Sequence, residues 1–153
     1  MPHVVQCPIQ PFIGFNGTIE VHQVPAAQDN LCWVLVCTAT GEAAVVDGPN
    51  AEAVLAYVEA RDLTLTTVLN THTHGDHIGI NLDLARRGLL ADMKVFGPTR
   101  AAKDVPGLTH PVDEGDLVQA AGSVSGWAAD YVPHAPEPAS ISWLPYGWAL
   151  NAA

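Results

Sequence analysis

The heptapeptide Thr71-His72-Thr73-His74-Gly75-Asp76-His77 places three histidines and an aspartate within six residues, after the apolar pair Val68-Leu69. An extended segment sends residues i and i+2 to one side, so His72 and His74 are predicted to point the same way. Imidazole and carboxylate are the ligands of a borderline metal such as zinc. The stretch therefore predicts a metal site at the end of an apolar strand.

The second part of the heptapeptide is predicted to approach the same site from the other flank. Gly75 allows the backbone to turn, after which Asp76 and His77 can converge on the histidines before them. Four ligands packed this closely suit two adjacent ions better than one. We therefore expect His72 and His74 on one metal and Asp76 and His77 on the other. The alternative is an exposed polar loop that is rich in histidine by chance.

Three further segments accompany the heptapeptide, which resembles the T-H-x-H-x-D-H signature of the metallo-β-lactamase superfamily. The segment Pro25-Ala26-Ala27-Gln28-Asp29-Asn30-Leu31-Cys32-Trp33 is similar to the Pro-x-x-x-Asp-Asn-x-x-Trp opening of the glyoxalase II (hydroxyacylglutathione hydrolase) branch. Val45-Val46-Asp47-Gly48-Pro49 is similar to its Val-Asp-Pro-Gly turn, with Gly and Pro exchanged. Ile78-Gly79-Ile80-Asn81 also agrees with this branch. The resemblance extends from about residue 18 to residue 118.

The resemblance implies one domain over residues 1–153 with an α/β (α+β) fold. It corresponds to the N-terminal half of the four-layer αββα metallo-β-lactamase fold, a mixed β-sheet with flanking helices. Hydrophobic periodicity in the sequence predicts the individual elements. The predicted strands are 18–24, a hairpin over 31–46, 65–69 and 94–96, and the predicted helices are 50–61 and 80–87, the second ending at Gly88.

The function implied by the resemblance is hydrolysis of a glutathione thioester, with S-lactoylglutathione as the type case. In that family a hydroxide bridging two metals attacks the thioester carbonyl, and Asp76 would both bind metal and orient the hydroxide. Two zinc ions are expected, with iron or manganese as alternatives. Rival reactions on the same motif are those of a lactonase, a β-lactamase or a persulfide dioxygenase.

The C-terminal part departs from the family pattern. The family has a His-x-Pro-Gly-His turn, and the matching segment here is His134-Ala135-Pro136-Glu137-Pro138, with proline at the ligand position. The aspartate that bridges both metals and the last histidine are also missing, so residues 120–153 are interpreted as a degenerate tail, with a reading-frame disruption as one explanation. His134 and His110 are weaker ligand candidates.

The alternative function is an inactive, truncated metal-binding chain, and a homodimer could cover the missing half.

Composition excludes some classes of partner. The 153-residue chain is 48% hydrophobic and 14% charged with a net charge of −10, which is typical of a globular protein and unsuited to nucleic acid or an anionic membrane. Three cysteines without a Cys-x-x-Cys pair are predicted to be reduced and mostly buried, and the expected compartment is the cytoplasm. His22 falls on the polar side of its strand and is predicted to lie at the surface.

Overall fold

The strands and helices of this chain are defined by a computed structural model, which describes residues 8, 10–14, 17, 19–113, 116–118, 127–132 and 140–145. This part of the chain contains ten β-strands and two α-helices. In chain order they are β1 (Phe12–Gly14), β2 (Ile19–Ala26), β3 (Asn30–Cys37), β4 (Glu42–Val46), α1 (Glu52–Ala60), β5 (Thr64–Leu69), α2 (Gly75–Arg86), β6 (Lys94–Pro98), β7 (His110–Val112), β8 (Leu117–Val118), β9 (Trp127–Val132) and β10 (Ser140–Pro145).

Seven strands form a mixed sheet in the order β1-β2-β3-β4-β5-β6-β7. Strands β1 to β4 pair antiparallel, whereas β4, β5, β6 and β7 pair parallel through crossover connections. Strands β8 to β10 form a second, antiparallel sheet. The predicted class, a mixed sheet with flanking helices, is confirmed, and so is the 31–46 hairpin. The parallel half matters most for the site, because it brings the carboxyl ends of β4, β5 and β6 to one edge.

The core lies between the large sheet and its two helices. Strand β3 is an apolar run whose alternate residues Cys32, Val34 and Val36 face this core, as expected for a strand in the middle of a sheet. The helices contribute the buried residues Val54 and Val58 of α1 and Ile80 and Leu84 of α2. The longest helix has 12 residues, and none of the described helices has the length and apolarity that crossing a bilayer requires.

Two of the cysteines can be assessed. Within the described part of the chain, Cys32 and Cys37 form no disulfide and both are buried, as predicted for these two residues. Burial raises the pKa of Cys32 to about 12, and the nearby Asp47 carboxylate adds to the effect. Such a thiol stays protonated and unreactive at neutral pH. Cys7 lies outside the described residues.

The start of the second helix was predicted wrongly. Helix α2 begins at Gly75, five residues before the predicted start at Ile80, so Asp76 and His77 lie on its first turn and not in a loop. The sequence does not reveal this start, because the apolar periodicity begins only at Ile80. The first turn is held instead by backbone hydrogen bonds to the loop after β4. Gly75 is an ordinary helical residue without positive φ, whereas Gly88 has φ 73° and ends the helix as predicted.

The prediction for His22 also needs correction. His22 is buried and not on the surface, with 5% of its area exposed. Helix α1 covers its face of β2, so its ring contacts Tyr57 OH at 2.5 Å and Glu20 at 2.9 Å.

Asp83 joins the two helices. One carboxylate oxygen accepts a hydrogen bond from the Ala51 amide at 2.7 Å, which satisfies a free N–H at the start of α1. The other oxygen accepts from Arg86 at 2.8 Å and from Arg87 at 3.2 Å. The Ala51 hydrogen bond, supported by the two arginines and opposed by burial, holds the pKa of Asp83 below its usual value. The Asn50 side chain accepts a longer hydrogen bond, at 3.2 Å, from the Glu52 amide.

We predict that Asp83→Asn lowers the free energy of unfolding at neutral pH by about 1–2 kcal/mol, since an amide cannot serve the Ala51 amide and both arginines. The folded-state pKa of Asp83 lies below the unfolded value of about 3.9. Its contribution is therefore present above that value and is lost as pH falls through the folded pKa. Urea unfolding at a series of pH values measures this.

The matched control is Asp104→Asn at an exposed aspartate, which should leave stability unchanged. The wild type and Asp83→Asn should converge in acid. A difference that stays constant from neutral to acid pH would contradict the proposed role of the ionised carboxylate.

Candidate metal centre

The heptapeptide lies between the carboxyl end of β5 and the first turn of α2. His72 and His74 precede the helix, and His74 is its N-cap residue with extended backbone angles. Asp76 and His77 belong to the first turn, where the helix dipole favours a carboxylate. The four predicted ligands are thus divided between a segment that ends a strand and a segment that begins a helix.

The three histidine rings of the heptapeptide lie against one another. The His72 ring centroid is 4.7 Å from that of His74 and 3.9 Å from that of His77. His72 is buried in the middle, with 5% of its area exposed, and its Nδ1 contacts Thr71 Oγ1 at 2.9 Å. His72 and His74 therefore share one side, as their spacing predicts.

Asp76 lies beside this cluster. Its Oδ2 is 3.5 Å from Nε2 of His77. Two ligand atoms of one tetrahedral zinc ion, each about 2.1 Å from the metal, lie about 3.4 Å apart. The spacing of this pair is compatible with a single ion between Asp76 and His77.

Asp47 is the residue of the centre that sequence reasoning missed. It follows β4 and has a left-handed backbone, with φ 56°, which aspartate tolerates better than most residues. Its Oδ1 accepts from the Thr71 amide at 2.9 Å, and its Oδ2 accepts from Thr71 Oγ1 at 2.5 Å. Oδ2 is also 2.9 Å from Nδ1 of His77. The Val-Asp-Pro-Gly resemblance marked the turn but gave this carboxylate no role.

This contact sets the state of the His77 ring. A carboxylate on Nδ1 makes that nitrogen the donor and leaves Nε2 available on the side of Asp76. The hydrogen bond that His77 donates to Asp47 raises the pKa of His77; burial opposes this effect, and the charges of Asp47 and Asp76 add to it. A metal at Nε2 of His77 would have to compete with a proton, so metal binding should weaken in acid.

A buried amide pair lies below the loop. Asn70 and Asn81 are both fully buried and exchange two hydrogen bonds, at 3.0 and 2.7 Å. Asn70 also donates to the His77 carbonyl at 3.4 Å, and Asn81 to the Pro106 carbonyl at 3.0 Å. The pair ties the end of β5 to α2 and to the segment before β7, so the heptapeptide rests on a satisfied polar layer.

The first turn of α2 is also fixed by a close backbone approach. The Gly48 amide donates to the His77 carbonyl at 3.0 Å, and the Ile80 amide donates to the Gly48 carbonyl at 2.8 Å. A Cβ on Gly79 would lie 2.1 Å from the Pro49 carbonyl oxygen. Only glycine permits this approach, which sets the height of His77 above the sheet.

The donors present fit a divalent cation. Asp47, His72 and His77 each offer one ligand atom, and these atoms lie within 4.8 Å of one another. Imidazole and carboxylate together are a donor set that zinc, iron and manganese accept. Because both Asp47 oxygens already accept hydrogen bonds, we assign Asp47 to orienting His77 and Thr71. The imidazoles of His72 and His77 and the Asp76 carboxylate, 3.5 Å from His77 Nε2, remain as donors for a cation.

The remaining candidates lie elsewhere. His110 is exposed on the strand β7, stacked on Phe96 with ring centroids 4.7 Å apart and 2.6 Å from Thr109 Oγ1, outside the cluster around His72. His134 and Pro138 lie outside the described residues. The metal roles of His72, His74, Asp76, His77, His110 and His134 stay predictions.

The fold and this cluster define a class of protein, a mixed α/β sheet with a histidine- and aspartate-rich metal centre at its edge. The model of the metallo-β-lactamase superfamily matches residues 28–146, and the chain belongs to that superfamily. Solved structures with this fold include the BLEG-1 B3 metallo-β-lactamase (TM-score 0.65, 21% identity, 84% of this chain and 68% of that one). ETHE1 from Myxococcus xanthus is another (TM-score 0.58, 24% identity, 92% and 54%).

Relatives of higher identity are named hydroxyacylglutathione hydrolases. Hydroxyacylglutathione hydrolase 2 of Vibrio vulnificus (strain YJ016) is 42% identical over 101 residues, covering 66% of this chain and 38% of the relative. Hydroxyacylglutathione hydrolase of Synechococcus sp. is 42% identical over 107 residues, 70% of this chain and 41% of the relative. The chain thus spans about two fifths of the length of these relatives.

We predict that Gly79→Ala destabilises the protein by about 1–3 kcal/mol, because the added methyl group must displace the Pro49 carbonyl. Gly75→Ala, on the same helix with open space around the added atom, is the control and should be neutral or slightly stabilising. Thermal unfolding of both variants measures the contrast. Equal thermal unfolding midpoints would show that α2 can move away from Pro49 without loss of stability.

We also predict that Asp47→Asn weakens zinc affinity by about 10–100-fold without unfolding the chain. An amide can still accept from Thr71, but it no longer fixes the tautomer of His77. Competition with a chromophoric chelator measures the affinity, and circular dichroism of the metal-free variant checks the fold. An unchanged zinc affinity would contradict the orienting role of Asp47.

Proposed function

We propose that this chain carries the metal-binding part of a thioester hydrolase of the hydroxyacylglutathione hydrolase type. The substrate class is an S-(2-hydroxyacyl)glutathione, which is cleaved to glutathione and a 2-hydroxy acid. The observation that carries the proposal is the convergence of His72, His74, Asp76 and His77 beside an orienting carboxylate, Asp47. Relatives named for this activity share 42% identity over the region that contains it.

Each residue has a distinct task in this proposal. His72 and His74 would hold one ion, and Asp76 and His77 a second. A divalent metal bound there supplies a Lewis acid and lowers the pKa of a bound water from about 15.7 to near 7. Asp76 would also orient the attacking oxygen, whose proton would pass to solvent. The water oxygen would bond to the thioester carbonyl carbon and the carbon–sulfur bond would break, giving the 2-hydroxy acid and glutathione thiolate. This leaving group needs no strong general acid, because a thiol has a pKa of about 8.5.

Zinc is the proposed metal. Two imidazoles, or one imidazole and one carboxylate, are borderline to hard donors, and zinc binds such sets at about 2.0–2.2 Å. Zinc sites usually have three or four protein ligands, so each pair would be completed by a further group. His134 of this chain or residues of a second copy are the proposed sources, with the cytoplasm as the proposed compartment.

The test begins with metal content. Protein purified without chelator is expected to contain about two ions per chain by elemental analysis. It should also release free thiol from S-lactoylglutathione, and Asp76→Ala should lower that rate by about a hundredfold or more. Glu59→Ala removes an exposed carboxylate from α1 and is the matched control, expected at the wild-type rate.

Two results would overturn the proposal. Metal-free wild-type protein that also takes up no zinc on titration would mean that the chain does not form the centre. A zinc-loaded protein that leaves S-lactoylglutathione intact would mean that the chain binds metal without this activity.

A further inference from the structure

Asp76 is the least constrained of the four predicted ligands. Its side chain is 54% exposed on the first turn of α2, whereas the His77 side chain is 30% exposed and is held by Asp47 at 2.9 Å. An exposed carboxylate in this position has several rotamers available, and fixing one of them costs conformational entropy. A contact with a neighbouring group is therefore needed to select the rotamer in which Oδ2 faces His77 Nε2.

Asn30 makes that selecting contact. Its Nδ2 donates to Asp76 Oδ2 at 3.3 Å, across 46 positions of sequence. Within the described ranges, Asn30 and His77 are the polar groups that contact the Asp76 carboxylate. The amide therefore approaches Oδ2, the oxygen that is 3.5 Å from His77 Nε2.

The backbone at Asn30 is well placed to hold a fixed position. Asn30 is the first residue of β3 and pairs with Ala26, the last residue of β2. The three-residue turn between them includes Ala27, whose φ is 51°. Eight pairs of residues connect β2 to β3, so the hairpin end presents the amide from a rigid support.

The chemistry of an amide also suits this place. A carboxylate at position 30 would repel Asp76, whereas a lysine would neutralise it and compete with a cation. An amide donates one hydrogen bond without adding charge, so Asp76 keeps the negative charge that attracts a cation. This gives a physical reason for the asparagine in the Pro25–Trp33 segment.

We propose that Asn30 is a positioning residue for the metal centre, which holds the Asp76 carboxylate toward His77 in the metal-free protein. The inference rests on the metal centre of the proposed function but not on the reaction assigned to it. It adds a residue from the β2–β3 hairpin to a centre otherwise built from the ends of β4 and β5 and the start of α2.

The test compares two amide-to-alanine variants of the same hairpin. Asn30→Ala removes the contact to Asp76, and Gln28→Ala removes an exposed carboxamide two residues away. Zinc affinity is measured by competition with a chromophoric chelator, and unfolding midpoints are measured on the metal-free proteins. We expect Asn30→Ala to bind zinc about tenfold more weakly than the wild type, with an unchanged midpoint, and Gln28→Ala to match the wild type.

The cobalt spectrum provides a second measurement. Cobalt-loaded Asn30→Ala should show altered visible absorption if the Asp76 ligand has moved, and cobalt-loaded Gln28→Ala should not. Equal zinc affinities for both variants and the wild type would overturn the inference, and so would a loss of affinity explained by a lower midpoint. Wild-type protein that takes up no zinc would overturn it together with the proposed function.

The inference and the proposed reaction can fail separately. If the wild type hydrolyses no thioester but Asn30→Ala still loses zinc affinity, the positioning role stands and the reaction does not. If the wild type hydrolyses S-lactoylglutathione and Asn30→Ala binds zinc normally, the reaction stands and the positioning role is wrong.

Discussion

The contact between the Asp47 carboxylate and the heptapeptide is the interaction on which the centre depends. One side chain accepts hydrogen bonds from the Thr71 amide and hydroxyl and contacts Nδ1 of His77. It therefore links the end of β4 to both halves of the heptapeptide. A partly buried carboxylate that contacts three polar groups stabilises the structure more than an exposed ion pair does, because little water competes for its oxygens. The left-handed backbone at Asp47 is tolerated within this network.

Elements with a clear hydrophobic period could be predicted from the sequence. The β3–β4 hairpin and strand β5 were found within one or two residues, because their apolar residues must be buried whatever the rest of the fold does. The early start of α2 could not be found in this way. Its first turn carries no apolar face and is stabilised by the Gly48 backbone, which lies about 30 positions earlier in the chain.

The residues of the candidate site likewise fall into those that the sequence revealed and those that it did not. The residues within the heptapeptide were identified because residue types that bind metal occur there at short spacing. Asn70 directly precedes the heptapeptide, whereas Asp47 and Asn30 act on it from other strands. Only the parallel pairing of β4 with β5 and the β2–β3 hairpin bring these two groups close. His22 was misassigned for the same reason. Its strand alternates correctly, but the sequence of β2 does not reveal that α1 covers the polar side.

The division of the heptapeptide between a strand end and a helix start has a thermodynamic consequence. An ion held by Asp76 and His77 would bind only when α2 is wound through its first turn, so occupancy and helix formation would be linked equilibria. Any ligand that favours the wound state raises its population by a factor that grows with free ligand concentration. The local stability of α2 would then report the free metal concentration around the protein.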